Sequence, residues 1–454
     1  MTSYDVAVIG AGPGGYTAAA CAAREGLSTV LFEKDELGGT CLNRGCVPTK
    51  ALLHASDTWQ AIGAADELGL HVEGASYDFS AMHARKDTVV AKQRDGIAKL
   101  MKAGHVTVVS GEACIAQAGV VTCDGQAYEA RDIIIATGSV PAVPPIEGRD
   151  LEGVYTSDDL LEGGGVELDS LAIVGGGVIG VELAGFYAGL GCQVTVLEAM
   201  DRILPLMDKD IATRLAAQFR KQGVDVQAKA TVRGIVREES GMLSVSYENK
   251  KGASCSVSAE GVLIATGRRA NTQGLFADDL GIECARGAVV ADELGRTSVP
   301  HIYVIGDAKA GVVQLAHVAE AQAKNAVATI VGKQPPVDAS LVPSCVYTTP
   351  EIASVGLTEA EAKEAGIDVI CAKSLVGANA KCDVEGCTSG YIKLVARADD
   401  RVLVGAQLVY PRATDIVAEL ALAIGCALTV EQLAGVICAH PTFAEGVLAA
   451  AEAL

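Results

Sequence analysis

Short apolar runs recur along the chain, and several of them close on a glycine. Five such runs are VAVIG, IIIATG, LAIVG, VLIATG and IYVIG. Runs of this length bounded by glycine predict buried strands, because a strand covered on both faces needs apolar side chains throughout. Segments rich in alanine and glycine follow two of the runs and predict helices. Strands that alternate with helices in this way indicate an α/β chain.

The two runs that precede helices belong to a repeat. Its copies are YDVAVIGAGPGGYTAAACAAREGLSTVLFE and SLAIVGGGVIGVELAGFYAGLGCQVTVLE, and each reads as strand, glycine-rich turn, helix and a second strand ending in an acid. The repeated positions are Gly10, Gly12, Gly15 and Glu33 in the first copy, and Gly175, Gly177, Gly180 and Glu198 in the second. In a dinucleotide-binding unit the glycines allow the turn, the approach of a pyrophosphate to the helix N-terminus and close helix packing, while the acid binds ribose hydroxyls. A single copy is explained as well by an ordinary glycine-rich turn, but two complete copies predict two dinucleotide sites.

Two further strands each close on an Ala-Thr-Gly triplet, at 136–138 and 265–267. They repeat the pairing of the two units and are expected to end each nucleotide domain. The run IYVIG is followed by Asp307. A carboxylate at that place either binds a polyol or ribityl hydroxyl or caps the next helix, and the residues alone leave both possibilities open.

The last third of the chain begins after the linker-like segment GKQPPVD, at about Lys333. It contains the alternating strands YIKLVARA and RVLVGAQLVY and then amphipathic helices, without a phosphate-binding loop. The pattern predicts an interface domain.

Length and charge narrow the class of protein. A chain of 454 residues is too long for one core, which predicts two to four domains. The net charge of -20 argues against nucleic-acid or anionic-membrane partners, because phosphates would be repelled. No stretch reaches the roughly 18 apolar residues of a membrane span, and the N-terminus runs directly into YDVAVIG without a signal segment. A cytoplasmic localisation, or that of a mature organelle protein already trimmed, is expected.

The segment GGTCLNRGCVPTK places Cys41 and Cys46 among glycines. Three explanations compete: a metal-binding site, a structural disulfide that acts as a staple, and a redox-active pair. Metal is disfavoured because zinc ligands usually come as two close pairs, and no second pair with a suitable histidine lies nearby. A staple that closes so short a loop would constrain the unfolded chain little. A redox pair at a helix start is favoured, since the helix dipole lowers the pKa of a thiol there.

The spacing of this pair also predicts an irregular backbone. In an ideal helix, residues five apart have Cα atoms roughly 8.7 Å from each other, whereas a disulfide needs less than about 7 Å. The glycines of the segment, with Pro48, supply the means to tighten it. Lys50 follows Cys46 and either stabilises a negative partner or is an ordinary surface lysine.

The segment CAHPTFAE supplies a candidate base. Pro441 keeps His440 out of helical dihedral angles, so the imidazole precedes the helix. Glu445 falls in the first helical turn and is placed to bind one ring nitrogen, which leaves the other to take a proton. Thr442 and Glu445 also spell a capping box, in which case His440 only packs. The residues leave both interpretations open.

Four features of the chain point to one family: GGTCLNRGCVPTK, the doubled GxGxxG, both ATG strands and YVIGDA. Through them the chain resembles the flavin-dependent pyridine nucleotide–disulfide oxidoreductases over essentially its whole length. The resemblance implies an α/β fold with two Rossmann-like dinucleotide-binding domains and a C-terminal α+β interface domain. It places FAD on the first Rossmann-like fold and NAD or NADP on the second. The implied boundaries are 1–145 and 271–334 for the two parts of the FAD-binding domain, 146–270 for the NAD-binding domain, and 335–454 for the interface domain.

The resemblance also assigns roles to residues. Cys41 and Cys46 would form the redox disulfide, with Cys46 facing the flavin and Cys41 exchanging with substrate. Lys50 would lie beside the flavin, paired with Glu182. His440 would be the acid–base and Glu445 its partner, both contributed by the second subunit of a homodimer. The implied cofactor contacts are, for FAD, Gly10, Gly12, Gly15, Glu33, Thr40, Thr137, Gly138, Asp307, Ala316 and His317, and, for NAD, Gly175, Gly177, Gly180, Glu198 and Gly267.

Within the family the chain looks most like the members that oxidise dihydrolipoamide. Glu198 favours NAD, because a carboxylate there repels the 2′-phosphate of NADP. A lipoyl group would then come from a lipoylated acyltransferase or a glycine-cleavage carrier protein. The alternatives are an NADH-dependent reductase of another low-molecular-weight disulfide, and a docking role in which catalysis is secondary.

Two features depart from the family pattern. Arg44 stands inside the redox loop, where many members carry a small apolar residue. Cys382 and Cys387, in AKCDVEGC, repeat the five-residue spacing of the first pair within the interface domain. They are either incidental cysteines or a second redox or regulatory pair.

Overall fold

The first apolar run lies at the centre of a seven-stranded sheet in the computed structural model, which describes residues 2–454. The sheet order is β3-β2-β1-β6-β5-β4, and a late strand, β19, also pairs with β6. The strands of this first segment are β1 (Thr2–Ile9), β2 (Thr29–Glu33), β3 (Thr107–Ser110), β4 (Ala113–Gln117), β5 (Val120–Cys123), β6 (Gln126–Ile135) and β7 (Ser139–Pro141). Its helices are α1 (Pro13–Arg24), α2 (Gly39–Arg44), α3 (Cys46–Gly63) and α4 (Phe79–Ala103).

The second copy of the repeat builds a five-stranded parallel sheet in the order β11-β10-β9-β15-β8, beside an antiparallel sheet of β12, β13 and β14. The strands are β8 (Val154–Tyr155), β9 (Ser170–Val174), β10 (Gln193–Glu198), β11 (Asp225–Ala228), β12 (Thr231–Arg237), β13 (Leu243–Glu248), β14 (Ser254–Ala259) and β15 (Gly261–Ile264). The helices are α5 (Ser157–Leu161), α6 (Val178–Gly189) and α7 (Lys209–Lys221). The predicted strand–helix–strand units are confirmed as β1-α1-β2 and β9-α6-β10.

The chain then returns to the first sheet. The elements of this part are β16 (Arg268–Ala270), β17 (Cys284–Ala285), β18 (Ala288–Val289), β19 (Ile302–Val304) and α8 (Ala316–Ile330). Strand β16 pairs with β7, β19 pairs with β6, and α8 packs on α1. The apolar run IYVIG therefore completes the first dinucleotide fold, and the second fold is inserted between its two parts.

The last part of the chain forms a five-stranded antiparallel sheet in the order β20-β21-β24-β23-β22. Its strands are β20 (Ser344–Val346), β21 (Ile352–Gly356), β22 (Val369–Leu375), β23 (Tyr391–Arg397) and β24 (Leu403–Val409). Its helices are α9 (Glu359–Glu364), α10 (Ala380–Val384), α11 (Ala413–Gly425), α12 (Val430–Ala434) and α13 (Glu445–Glu452). The sheet packs against α11 and α13 around its own apolar core. The predicted fold class is confirmed, while the exact domain boundaries stay predictions.

Within residues 2–454, no helix combines the length and the apolar character that crossing a membrane requires.

Candidate active site

One cavity of about 1850 Å³ brings both glycine turns, the cysteine loop and the start of α8 together. It lies between the two dinucleotide folds and reaches Cys345 and Tyr347 of the C-terminal domain. The predicted site residues that line it are Gly10, Gly12, Glu33, Thr40, Cys41, Cys46, Lys50, Thr137, Gly138, Gly175, Gly177, Glu182, Glu198, Gly267, Asp307, Ala316 and His317. A single cavity thus connects the two candidate nucleotide sites with the thiol pair.

The third glycine of each turn has a packing role. A Cβ atom on Gly15 would lie 1.8 Å from the carbonyl oxygen of Gly10, and one on Gly180 would lie 2.0 Å from that of Gly175. Gly10 and Gly175 themselves have φ values of 98° and 115°, which favour glycine. Each helix can therefore start directly against its turn only because the third position lacks a side chain.

The two repeated acids brace the glycine turns. The Glu33 carboxylate accepts hydrogen bonds from the backbone N–H of Ala11, at 2.7 Å, and of Asp35, at 2.9 Å. Glu198 accepts in the same way from Gly176, at 2.6 Å, and Met200, at 2.7 Å. This structural use was not predicted. A carboxylate offers about four lone-pair sites, so both acids keep acceptors for a ribose.

A break between α2 and α3 brings the two cysteines together. Gly45 leaves the helical region, with φ of -141° and ψ of -113°, and Cys46 starts the next helix. A Cβ atom on Gly45 would lie 2.9 Å from the Thr40 carbonyl oxygen and 3.2 Å from Cys41 Cα. The predicted irregularity is confirmed, and glycine permits it because this backbone passes so close to Cys41.

The contact between the thiols makes them chemically unequal. The Cys41 thiol donates a hydrogen bond to the Cys46 sulfur, and with the Lys50 ammonium group it lowers the pKa of Cys46 to about 7. The same contact, together with burial, raises the pKa of Cys41 well above its usual range. Cys46 is exposed in the cavity, whereas Cys41 is half-buried. In the reduced pair the thiolate therefore belongs to Cys46 at neutral pH.

Lys50 is held in place beneath this pair. Its Nζ lies 2.8 Å from Glu182 Oε2 and 4.5 Å from the centre of the Tyr347 ring. Glu182 is buried, and its other oxygen accepts the backbone N–H of Tyr347 at 3.0 Å. The surface-lysine interpretation is therefore wrong, and the expected Lys50–Glu182 contact is present. Tyr347, which directly follows β20, was missed, because no pattern in YTTPE indicates a contact with Lys50.

Removing the Lys50 charge is expected to raise the pKa of Cys46. In Lys50→Met, the pH midpoint for alkylation of Cys46 in the reduced protein should rise by roughly one unit from about 7, because an adjacent cation no longer stabilises the thiolate. Alkylation rates with iodoacetamide between pH 5 and about 9 give both midpoints. Lys92→Met, at an exposed position of α4, is the matched control and should keep the parental midpoint. An unchanged midpoint in Lys50→Met would contradict the assignment.

Asp307 faces the cavity instead of capping a helix. It lies in the short turn Gly306–Ala308, and its carboxylate accepts the Ser139 hydroxyl at 2.6 Å. Helix α8 begins only at Ala316, so the capping interpretation is wrong. Arg268, which the sequence did not single out, donates to Ser139 Oγ at 2.7 Å and so ties the two ATG strands together.

Other polar groups of the cavity wall bear on ligand binding. The Thr137 hydroxyl is buried and has no hydrogen-bond partner within residues 2–454. The His317 ring uses Nε2 to contact the Pro343 carbonyl oxygen at 2.8 Å, which leaves the backbone at the start of α8 for the cavity. Arg44 is neutralised by ion pairs with Asp35 and Glu162.

His440 and Glu445 form a dyad on the surface of the C-terminal domain. His440 Nδ1 lies 2.8 Å from Glu445 Oε1, while Oε2 accepts the Thr442 backbone N–H at 2.7 Å. The Thr442 hydroxyl donates to the Ala439 carbonyl oxygen, and α13 is capped at Ala444, so the two-way capping box does not form. Hydrogen bonds from Thr442 and His440 lower the pKa of Glu445, which keeps it ionised.

The dyad does not share the cavity with the thiols of its own chain. Neither His440 nor Glu445 is among the described residues that line it, and the His440 side chain is 70% exposed. Within its own chain the dyad therefore lies outside the cavity that holds the cysteine pair.

Glu445→Gln is expected to lower disulfide turnover by about a hundredfold, because the carboxylate accepts two N–H donors and an amide has one acceptor oxygen. Either the His440 tautomer or the Thr442 contact is lost. Steady-state turnover with a dithiol substrate measures the change. Glu452→Gln, exposed on the same helix, is the control and should be unaffected. Full activity in Glu445→Gln would mean that Glu445 does not orient the imidazole.

Comparison with known proteins adds the family. Residues 4–323 match the family model of pyridine nucleotide-disulphide oxidoreductases, and residues 342–451 match the dimerisation domain of the same family. The chain belongs to this family. Its second model supports a homodimer, as predicted.

Two relatives of the chain are dihydrolipoyl dehydrogenases. The chain is 40% identical to dihydrolipoyl dehydrogenase of Geobacillus stearothermophilus, over 98% of this chain and 95% of that protein. It is 39% identical to a dihydrolipoyl dehydrogenase of Bacillus subtilis, over 99% and 96%.

Solved structures of the same fold cover the whole chain. The HOCl-induced flavoprotein disulfide reductase RclA from Escherichia coli has a TM-score of 0.88 at 29% identity, with 99% of each chain covered. LpdA from Mycobacterium tuberculosis has a TM-score of 0.90 at 28% identity, covering 100% of this chain and 99% of that chain.

The family uses FAD and NAD(H), as predicted, and the cavity fits both. At each turn a glycine-rich backbone precedes a helix whose first turn carries no acidic residue, which suits a pyrophosphate. The unpartnered Thr137 hydroxyl offers a hydrogen bond to a ligand in the first site.

Proposed function

We propose that the protein oxidises dihydrolipoamide to lipoamide, with NAD as the final electron acceptor. The observation that carries the proposal is the Cys41–Cys46 pair, in one cavity with both dinucleotide turns and with Cys46 poised as the thiolate. The near-full-length likeness to dihydrolipoyl dehydrogenases supports this substrate.

The chain's residues account for the exchange steps. His440 of one subunit removes a proton from a substrate thiol, whose sulfur attacks Cys41 in the other subunit. The Cys41–Cys46 bond breaks, and Cys46 leaves as a thiolate stabilised by Lys50. The second substrate thiol loses its proton to solvent, and its sulfur attacks the first, which forms lipoamide and releases Cys41 as a thiolate that takes the proton back from His440. Bound FAD and NAD supply the capacity to accept the two electrons left on the cysteine pair.

The cofactor contacts keep their assignments within this proposal. FAD would be held by Gly10, Gly12, Gly15, Glu33, Thr40, Thr137, Gly138, Asp307, Ala316 and His317. Gly175, Gly177, Gly180, Glu198 and Gly267 would hold NAD. Support comes from the cavity lining and from the tight approach beneath Gly15 and Gly180.

A second candidate is the reduction of another low-molecular-weight disulfide by NADH. The likeness to a flavoprotein disulfide reductase of Escherichia coli favours it. The same cysteine pair would then run in the opposite direction, with His440 returning protons to the leaving thiols.

Turnover of the purified protein decides between the two. We expect fast reduction of NAD by dihydrolipoamide, no comparable reaction of NADH with glutathione disulfide, and at least about tenfold weaker use of NADP, because Glu198 would face the 2′-phosphate. The two reactions are followed by NADH absorbance at equal enzyme concentration. Rapid oxidation of NADH by glutathione disulfide, with dihydrolipoamide inert, would replace the first proposal with the second.

The partner under this proposal is a lipoylated acyltransferase or a glycine-cleavage carrier protein. The net charge of -20 favours a basic docking surface on that partner. Binding should therefore weaken as salt concentration rises.

A further inference from the structure

The second cysteine pair meets at the C-terminus of α10. Gly386, with φ of 68°, turns the chain back, and the Cys387 N–H donates to the Cys382 carbonyl oxygen at 2.8 Å, while the Gly386 N–H reaches the Asp383 carbonyl oxygen. This is the Schellman closure, which places the side chains at its two ends in contact. Cys387 accordingly packs on the apolar cluster that contains Cys382, and each thiol influences the pKa of the other.

The two sulfurs have different environments. Cys382 is fully buried and hydrogen-bonds through Sγ to the Tyr410 hydroxyl at 3.2 Å, whereas Cys387 is partly exposed. A Schellman contact needs only two apolar groups, and that need alone would account for any small hydrophobic pair. Here the Cys387 thiol is accessible to solvent and the Cys382 thiol is buried next to it, which is the arrangement of an attacking and a resolving cysteine.

The pair is linked to the turn that carries the base. Asn379, which caps α10, accepts the Cys382 N–H with its side-chain oxygen and donates its amide to the Thr442 carbonyl oxygen at 3.0 Å. The Tyr410 ring packs edge-on against Phe443, with ring centres 6.3 Å apart. A Cβ atom on Gly446 would lie only 2.7 Å from the Tyr410 hydroxyl. Cys382 thus contacts both supports of the segment between His440 and Gly446.

We propose that Cys382 and Cys387 form a second thiol–disulfide couple, which exchanges with linear low-molecular-weight disulfides of the glutathione type and, when closed, displaces the His440 turn. The effect on turnover rests on the proposed function, whereas formation of the bond does not.

The exchange balances in two steps. The Cys387 thiolate attacks one sulfur of the small disulfide, whose S–S bond breaks and releases one thiol. The Cys382 thiolate then attacks the Cys387 sulfur, which breaks the mixed disulfide and releases the second thiol. The protein loses two electrons and two protons, and the small disulfide gains them. Closure removes the S–H group of Cys382 and draws its sulfur toward Cys387, so Tyr410 loses a hydrogen bond beneath the turn.

The pair should react more slowly than the first one. Burial, with the nearby Cys382 and Glu385, raises the pKa of Cys387 to about 11, and burial also raises that of Cys382. Few thiolates are present at neutral pH, so closure should take many turnovers of the enzyme. Such slow closure suits a modification that responds to the redox state of the surrounding solution.

The test uses the purified holoenzyme, incubated with glutathione disulfide at about pH 8.5 to raise the thiolate fraction. Both cysteines lie between Lys381 and Lys393, so trypsin leaves them in one peptide. After alkylation, mass spectrometry should find this peptide without alkyl groups and two hydrogens lighter. The initial rate of lipoamide reduction by NADH should fall about tenfold, as expected for a displaced base, and recover with dithiothreitol.

Variants separate the couple from other thiols. Cys387→Ser, which leaves the hydrogen bond from Cys382 to Tyr410 in place, should start at parental activity and lose none of it after treatment. Cys371→Ser, at an exposed cysteine of β22, should respond as the parent does. The rate at which diethyl pyrocarbonate modifies His440 is followed on the same samples and should change only where the bond forms.

Two results would overturn the proposal. One is a treated peptide that still takes two alkyl groups. The other is a linked peptide with unchanged turnover and unchanged His440 modification. Untreated enzyme without lipoamide turnover would instead reject the proposed function, while the peptide mass and the His440 rate would still decide whether the couple exists and moves the turn.

Discussion

Replacing Cys46 with serine is expected to lower dihydrolipoamide oxidation by at least about a thousandfold, because the disulfide that accepts substrate electrons cannot form. The expected loss follows from the contact between the two thiols and from the pKa of Cys46, about 7, which makes it the natural leaving thiolate. Steady-state reduction of NAD by dihydrolipoamide measures it.

Flavin absorbance of the purified variant separates chemistry from folding. Cys46 is one of many residues that line the cavity, so the variant should remain yellow. Cys284→Ser, at an exposed cysteine of β17, is the matched control and should keep parental turnover. Substantial lipoamide turnover in Cys46→Ser would exclude disulfide catalysis by this pair.

His440→Gln should lower the same activity by about 10²- to 10⁴-fold, the usual contribution of a positioned acid–base group. Glutamine keeps a comparable size and can still contact Glu445, but it cannot carry the proton. Reduction of the bound flavin by NADH needs no proton transfer at His440 and should proceed at the parental rate. A variant that loses both activities would point to a folding defect instead.

Mixing the two inactive variants tests where the base acts. If His440 serves the cysteines of the second subunit, a mixed dimer of Cys46→Ser and His440→Gln chains has one intact site. Random exchange of subunits should then restore about a quarter of parental turnover. If no activity returns after verified subunit exchange, the base acts within its own chain.

The sequence predicted the fold and the residues of the cavity through short-range patterns. The glycine turns, the paired acids and the irregular cysteine loop are local features. At each of them the spacing of nearby residues determines the backbone conformation. Gly45 shows this well, because the Cα separation in an ideal helix already required a break near it.

The parts that could not be predicted are contacts between distant segments. Arg268 reaches Ser139, and Tyr347 closes over Lys50, through the packing of strands that are far apart in the chain. Nothing in their neighbours' identities signals either contact. The second function of Glu33 and Glu198 was missed for another reason, since bracing a turn and binding a ribose require the same residue at the same position.

The late return of β19 to the first sheet has a consequence for synthesis on the ribosome. The edge of β6 at Ile133–Ile135 pairs with Ile302–Val304, and the whole second dinucleotide fold is translated between them. A nascent chain therefore carries an unpaired apolar strand edge while a complete neighbouring sheet emerges and folds. Rapid folding of that inserted unit shortens the time during which the edge is open to other chains. The folding rate of the inserted domain therefore influences how often the nascent chain aggregates.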